Sequence, residues 1–138
     1  SFSALISATV YPIMVGQGGN NFVPANVTGL KVGDMINFTW AAGTHSVAIS
    51  DATAGCVLSQ TIPNAQIQTP TNQTGFSKLF NITETSPQII NYFCGVATHC
   101  QNGMFGTLKL EAGTESAKAS SANKGEISAA LIIGSGLL

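Results

Sequence analysis

Short apolar runs that alternate with polar residues follow one another along the chain as far as about residue 110. The runs are rich in β-branched and aromatic residues, and Gly, Pro, Asn and Asp separate them. No amphipathic helical pattern lasts longer than a couple of turns, so the sequence predicts an all-β domain. The strands are expected at residues 4–10, 27–31, 35–40, 46–50, 76–80, 89–93 and 105–110.

The number and spacing of these runs indicate the architecture. About seven to eight short strands at this spacing are typical of a β-sandwich or a Greek-key barrel. Residues 52–74 are rich in Gln, Thr, Asn and Pro and show no clear period. We expect them to form an irregular excursion with room for a short helix.

The composition changes abruptly after residue 110, which divides the chain into a domain at 1–110 and a flexible low-complexity tail at 111–138. The tail is polar at first and ends in the apolar segment ISAALIIGSGLL. That segment is too short for a transmembrane helix, which needs about 20 residues. A polar spacer followed by an apolar end is typical of the start of a GPI-anchor signal, with attachment expected among residues 116–123. A disordered linker with an apolar end is the alternative.

Charged residues make up only 8% of the chain, and the formal net charge is −1. Without a basic cluster the chain has little to bind a phosphate backbone or an anionic membrane, so nucleic-acid and polybasic-lipid roles are disfavoured. Sequons occur at Asn26, Asn37, Asn72 and Asn81, and glycans there would keep a chain with so few charges in solution. We therefore expect a secreted glycoprotein whose signal peptide has been removed; plain turn residues are the alternative for the sequons.

The residues that carry chemistry are concentrated in the segment YFCGVATHCQNGMFGTLKL. Four residues separate Cys94 from His99, and four more separate His99 from Met104. The other histidine of the chain is His45, far upstream. Together these residues offer two imidazoles, a thiolate and a weak thioether, which is the ligand set of blue copper. Taken singly, each has an ordinary structural role as a packed or solvated side chain. Zinc would fit the number of ligands but not their softness.

Three cysteines in an oxidising compartment imply one disulfide and one thiol with another role. If Cys94 binds a metal, Cys56 and Cys100 remain to pair. A bond between Cys94 and Cys100 would instead destroy the ligand set. The connectivity therefore distinguishes the metal site from a purely structural use of these residues.

Two segments of residues 3–110 carry a family resemblance: the Cys–His–Met segment above and FVPANVTGLKVGDMINFTW. They resemble the cupredoxins, in particular phytocyanin-like proteins and secreted, GPI-anchored fungal relatives. The resemblance implies a Greek-key β-sandwich with one type 1 copper ion. His45, Cys94 and His99 would be the equatorial ligands, Met104 the axial ligand, and Cys56 and Cys100 a disulfide.

One position departs from the family pattern. Many relatives carry Asn after the first histidine ligand, a side chain that helps to tie the ligand loops together, whereas this chain has Ser46. The replacement puts the rigidity of that link in question but leaves the ligand set intact.

The predicted function is an extracellular blue copper protein that carries single electrons by Cu(II)/Cu(I) cycling. We expect the protein to be a monomer. We expect no enzymatic activity, because oxygen-reducing copper oxidases need further histidines and this chain has only His45 and His99. His99, at the apex of the loop, is the expected electron port, where a redox partner, either a protein or a small molecule, would dock. The alternative is a cell-surface glycoprotein that sequesters copper, or a wall interaction module without a redox partner.

Overall fold

The computed structural model describes residues 7–112, and within that range it contains nine β-strands and no helix. The strands are β1 (Val10–Val15), β2 (Phe22–Val23), β3 (Asn26–Leu30), β4 (Met35–Trp40), β5 (His45–Ser50), β6 (Gln66–Thr71), β7 (Ser77–Asn81), β8 (Ile89–Phe93) and β9 (Phe105–Leu110). Within residues 7–112 no helix has the length and hydropathy needed to cross a membrane.

The strands form two sheets. One has four strands in the order β2-β1-β4-β7, and the other has five in the order β3-β9-β8-β5-β6. Pairing is parallel between β1 and β4 and between β3 and β9, and antiparallel between the other neighbours. The predicted all-β fold class is confirmed, and its form is a sandwich rather than a closed barrel.

Alternation along β4 shows how the sequence builds the core. Ile36, Phe38 and Trp40 are buried, whereas the residues between them are partly exposed. Phe38 makes edge-to-face contacts with Phe22 of the same sheet and with Tyr92 of the facing sheet, with ring centroids 6.4 and 5.5 Å apart. Such contacts are favourable arrangements of aromatic pairs and hold the two sheets together.

Two sequence predictions are wrong. The first strand lies at Val10–Val15 instead of 4–10; residues 7–9 are outside any strand, and residues 1–6 lie outside the described residues. Pro12 is tolerated there because β2 pairs only with Met14 and Val15, which leaves that side of β1 open at Pro12. The region 52–74 contains no helix and includes β6, an edge strand too polar to show an alternating pattern.

The proposed tail at 111–138 lies outside the described residues except for Glu111 and Ala112. The last described strand, β9, ends at Leu110.

Candidate metal centre

The sandwich brings the two histidines and Cys94 to one end. His45 begins β5, and Cys94 follows the last residue of β8. The two strands are antiparallel neighbours, so the start of one lies beside the end of the other. Strand β9 pairs with β8, and the connection between them carries His99 and Met104. The topology therefore delivers these residues from segments far apart in the chain.

The donor atoms converge around one point. Cys94 Sγ lies 3.9 Å from His45 Nδ1 and 3.6 Å from His99 Nδ1, and the ligand atoms of the three residues all lie within 4.8 Å of one another. Metal bonds of about 2.0 Å to nitrogen and about 2.3 Å to sulfur place such atoms about 3.7 Å apart in a trigonal arrangement. The spacing of these side chains thus fits a bound metal ion, and the soft thiolate with two imidazoles suits copper.

The surroundings of His45 fix its ring. The side chain is 2% exposed, and burial is the main cause that lowers its pKa. Repulsion from His99 lowers the pKa further, whereas a hydrogen bond with the Ala42 carbonyl raises it. The imidazole is therefore neutral at neutral pH, and its Nδ1 lies on the side of Cys94 Sγ.

Two glycines make room for the other edge of this ring. Gly16 and Gly43 have φ of +81° and +80°, a backbone conformation that side chains disfavour. A Cβ would lie 2.6 Å from His45 Nε2 at Gly16 and 2.7 Å from it at Gly43. The sequence did not predict that His45 lies against Gly16, and it did not predict the hydrogen bond between His45 and Ala42. The only signal is the glycine-rich segment GQGG at residues 16–19.

Backbone hydrogen bonds hold the loop between β8 and β9 in shape. The Met104 amide donates to the His99 carbonyl (2.9 Å), and the Cys94 amide donates to the Met104 carbonyl (3.1 Å). Cys94 and Met104 are both 0% exposed and belong to the main core cluster, whereas His99 is partly exposed. The loop thus holds Met104 next to Cys94 and leaves His99 at the surface.

Solved structures with the same architecture identify the fold. The structure is similar to plastocyanin from Dryopteris crassirhizoma (TM-score 0.53, 18% identity, 72% of this chain and 99% of that chain). A purple cupredoxin from Nitrosopumilus maritimus (TM-score 0.53, 18% identity, 73% and 99%) and spinach plantacyanin (TM-score 0.51, 18% identity, 74% and 99%) are similar to the same extent. The chain has the cupredoxin fold.

Sequence comparison adds one curated relative of this chain. An extracellular serine-rich protein of Arthroderma benhamiae is 31% identical over 106 residues, which cover 75% of this chain and 40% of the relative. The chain therefore spans about two fifths of the length of that protein. No family model matches the sequence.

Ser46 ties the start of β5 to the loop after Cys94 in spite of its short side chain. Its Oγ accepts a hydrogen bond of 2.7 Å from the Gly95 amide, and its own amide donates to Cys94 Sγ over 3.4 Å. The link from β5 to the loop after Cys94 is present, so replacement of the usual Asn does not break it.

A disulfide joins Cys56 to Cys100 and leaves Cys94 as a buried free thiol. The predicted connectivity is therefore confirmed, and it is the one that keeps the ligand set complete. Phe93, Ala48 and Phe105 pack with the disulfide in a second small cluster. Because Cys100 follows His99 directly, the bond fastens the ligand loop to residues 51–61.

Asp51 organises that second segment. Its carboxylate accepts hydrogen bonds from the hydroxyls of Ser59 and Thr61 and from the Gln60 amide. The bond from Ser59 is the largest of the causes that lower the pKa of Asp51. The ionised carboxylate therefore closes the loop that carries Cys56, a role that the irregular sequence did not reveal.

The four sequons lie on strands or beside them. Asn26, Asn72 and Asn81 are exposed, whereas Asn37, on β4, is partly buried. Asn26 Oδ1 accepts hydrogen bonds from the backbone amide and the hydroxyl of Thr107.

Proposed function

We propose that this chain is an extracellular type 1 copper protein that carries single electrons. The observation that supports it most strongly is the convergence of Cys94 Sγ with the Nδ1 atoms of His45 and His99. In this proposal these three residues are the equatorial ligands and Met104 is the axial ligand. A copper ion held by them would accept and return one electron.

The protein side chains hold the site in one arrangement for both redox states. Burial shields the Cys94 thiolate from oxidants, and the Ser46 amide stabilises its charge. The hydrogen bonds of the loop and the Cys56–Cys100 bond resist movement of His99. A site that rearranges little between oxidation states suits electron transfer and requires no bond chemistry, which is why we propose a carrier and not an enzyme.

The exposed ligand is the proposed electron port. His45, Cys94 and Met104 are buried, whereas His99 is partly exposed. Gly95, Val96 and the other residues up to Thr98 carry no charge. Electrostatic steering of a partner should therefore be weak. In this proposal the protein is a monomer, and its redox partner, a small molecule or a protein, docks against the edge of His99.

Replacing His99 with Gly tests the port. We expect His99→Gly to bind copper with altered colour and to regain the original visible spectrum when free imidazole is added, because an opening at the surface admits the ring. Absorption spectra recorded during an imidazole titration provide the measurement. A buried-ligand control is His45→Gly, which should not be rescued; equal rescue of both variants would contradict the assignment of His99 as the exposed ligand.

Replacing Met104 with Gln tests the axial ligand. We expect Met104→Gln to bind copper and to have a lower reduction potential, since an oxygen donor favours Cu(II) more than a thioether does. Protein-film voltammetry measures the potential, and Met14→Gln, on the outer side of β1, is the matched control. The same potential in wild type and Met104→Gln would remove Met104 from the proposed site.

Several observations support an extracellular location. The curated relative is named as extracellular, the chain has sequons, and the Cys56–Cys100 disulfide suits an oxidising compartment. A copper domain at 1–110 and a GPI-anchor signal within 111–138 remain parts of the proposal.

Redox cycling separates a carrier from a copper-sequestering protein. The copper-loaded protein is reduced with ascorbate and reoxidised with a mild oxidant in the presence of a Cu(I) chelator. A carrier returns to its full colour over repeated cycles and keeps its copper. Loss of copper to the chelator on first reduction would contradict electron transport and favour sequestration or delivery.

A further inference from the structure

The outer face of the four-stranded sheet is uncharged, and six of its ten outward positions are apolar. Along each strand the residues that alternate with the core point outward, and none of these outward positions is charged. Val10 is 49% exposed, Val23 40% and Leu79 53%. The apolar outward residues are Val10, Pro12, Met14, Val23, Met35 and Leu79. The polar outward residues are Asn37, Thr39, Ser77 and Asn81, so the apolar residues border Asn37 instead of filling the whole face.

A sequon lies in the middle of this face. Asn37, in β4, is paired with Pro12 of β1 on one side and with Leu79 of β7 on the other. Its Oδ1 is buried without a hydrogen-bond partner, but its Nδ2, the atom that carries an N-linked sugar, is not among the buried unpartnered atoms. Nδ2 therefore keeps some contact with solvent in a side chain that is partly exposed.

A second sequon lies on the same face. Asn81 of β7 is paired with Met35, so it is a diagonal neighbour of Asn37 across the β4–β7 pair. The other two sequons belong to the other sheet, Asn26 at the start of β3 and Asn72 directly after β6. The fold thus places two of the four sequons next to each other on the apolar face and the other two on the other sheet.

We propose that an N-linked glycan on Asn37, accompanied by one on Asn81, is the cover of this apolar face. The C–H faces of the first sugars lie against Pro12, Met35 and Leu79 and remove apolar surface from water. The hydroxyl groups of the same sugars supply the hydration that the uncharged face lacks. This inference rests on the secretory part of the proposed function and not on copper binding.

The modification is a glycosyl transfer from a lipid-linked pyrophosphate oligosaccharide. A bond forms between Asn37 Nδ2 and the anomeric carbon of the first sugar, the bond from that carbon to the pyrophosphate oxygen breaks, and Nδ2 loses one proton. Because Asn37 is partly buried once β1, β4 and β7 have paired, the transfer precedes formation of the sheet.

The test uses the full chain secreted from a yeast host, with the variants Asn37→Gln and Asn72→Gln. Asn72→Gln is the matched control because it removes one glycan away from this face. Glycan occupancy is mapped by mass spectrometry after enzymatic release. We expect Asn37 to be occupied, and Asn37→Gln to bind severalfold more of an apolar fluorescent dye than Asn72→Gln and to self-associate in sedimentation velocity.

Each other outcome overturns a defined part of the account. Glycans on other sequons with Asn37 unmodified overturn this inference, and so does the absence of a glycan from every sequon; neither result bears on copper binding. Equal dye binding and equal sedimentation by the two variants overturn the covering role of the glycan. The outer face of the sheet would then be covered by a second copy of the chain or by nothing. If Asn37→Gln is not secreted, trimming the glycans of the folded wild-type protein with an endoglycosidase replaces it; unchanged dye binding after trimming overturns the proposal.

Discussion

Replacing Cys94 with Ser should abolish the intense thiolate-to-copper absorption and lower copper affinity by more than about a hundredfold. Loss of a partner outside the ligand set already costs about 10–100-fold in affinity, and here a ligand itself is removed. The hydroxyl is close in size to the thiol and can still accept a hydrogen bond from the Ser46 amide, so the fold should survive. Visible spectroscopy and a copper titration of the variant provide the measurement.

The double variant Cys56→Ser, Cys100→Ser is the matched control for this experiment. It removes the Cys56–Cys100 disulfide and leaves the Cys94 thiol in place. We expect the visible band to remain and the thermal stability to fall, since a disulfide typically contributes about 2–4 kcal/mol. A band that survives in Cys94→Ser and disappears in the double variant would show that the metal thiolate has been assigned to the wrong cysteine.

Replacing Gly16 with Ala should disturb the site from outside the ligand set. The new Cβ would lie 2.0 Å from the Ala42 carbonyl oxygen and 2.6 Å from His45 Nε2, on a backbone with φ of +81°. Relieving such overlap costs about 1–3 kcal/mol. Because the ring or its carbonyl acceptor must move, we expect copper affinity to fall roughly ten- to a hundredfold, since each 1.4 kcal/mol corresponds to about tenfold.

Gly18→Ala is the control for the glycine experiment. Gly18 belongs to the same turn and has φ of +76°, but a Cβ there has no atom within 4 Å. It therefore reproduces the backbone strain without the contact with His45. Copper titrations and paramagnetic resonance spectra of both variants separate the two effects. Equal copper affinity in Gly16→Ala and Gly18→Ala would contradict the role of Gly16 in positioning the ring.

The candidate donor set could be proposed from the sequence because most of it is local. Cys94, His99 and Met104 lie in one loop with regular spacing, and His45 is the only other histidine. A loop that must present several donors to one ion constrains the spacing of its residues strongly. The sequence therefore predicts the candidate donors more clearly than it predicts the ends of the strands around them.

The features that escaped prediction depend on backbone contacts between distant segments. Gly16 and the Ala42 carbonyl act on His45 through space, and no side-chain pattern records such a contact. Strand β6 is polar because it lies at the edge of its sheet, so it lacks the alternation that reveals a strand with one buried face. The position of β1 was missed because Pro12, ordinarily a strand breaker, lies where β2 does not pair.

The most direct test of the central claim is the spectroscopy of the purified apoprotein after addition of one equivalent of Cu(II). The account predicts an intense blue absorption together with a small copper hyperfine splitting in the paramagnetic resonance spectrum. These two properties report the thiolate of Cys94 bound to copper in the company of His45 and His99. Pale or absent colour with a large hyperfine splitting would contradict the account and reduce these residues to structural roles.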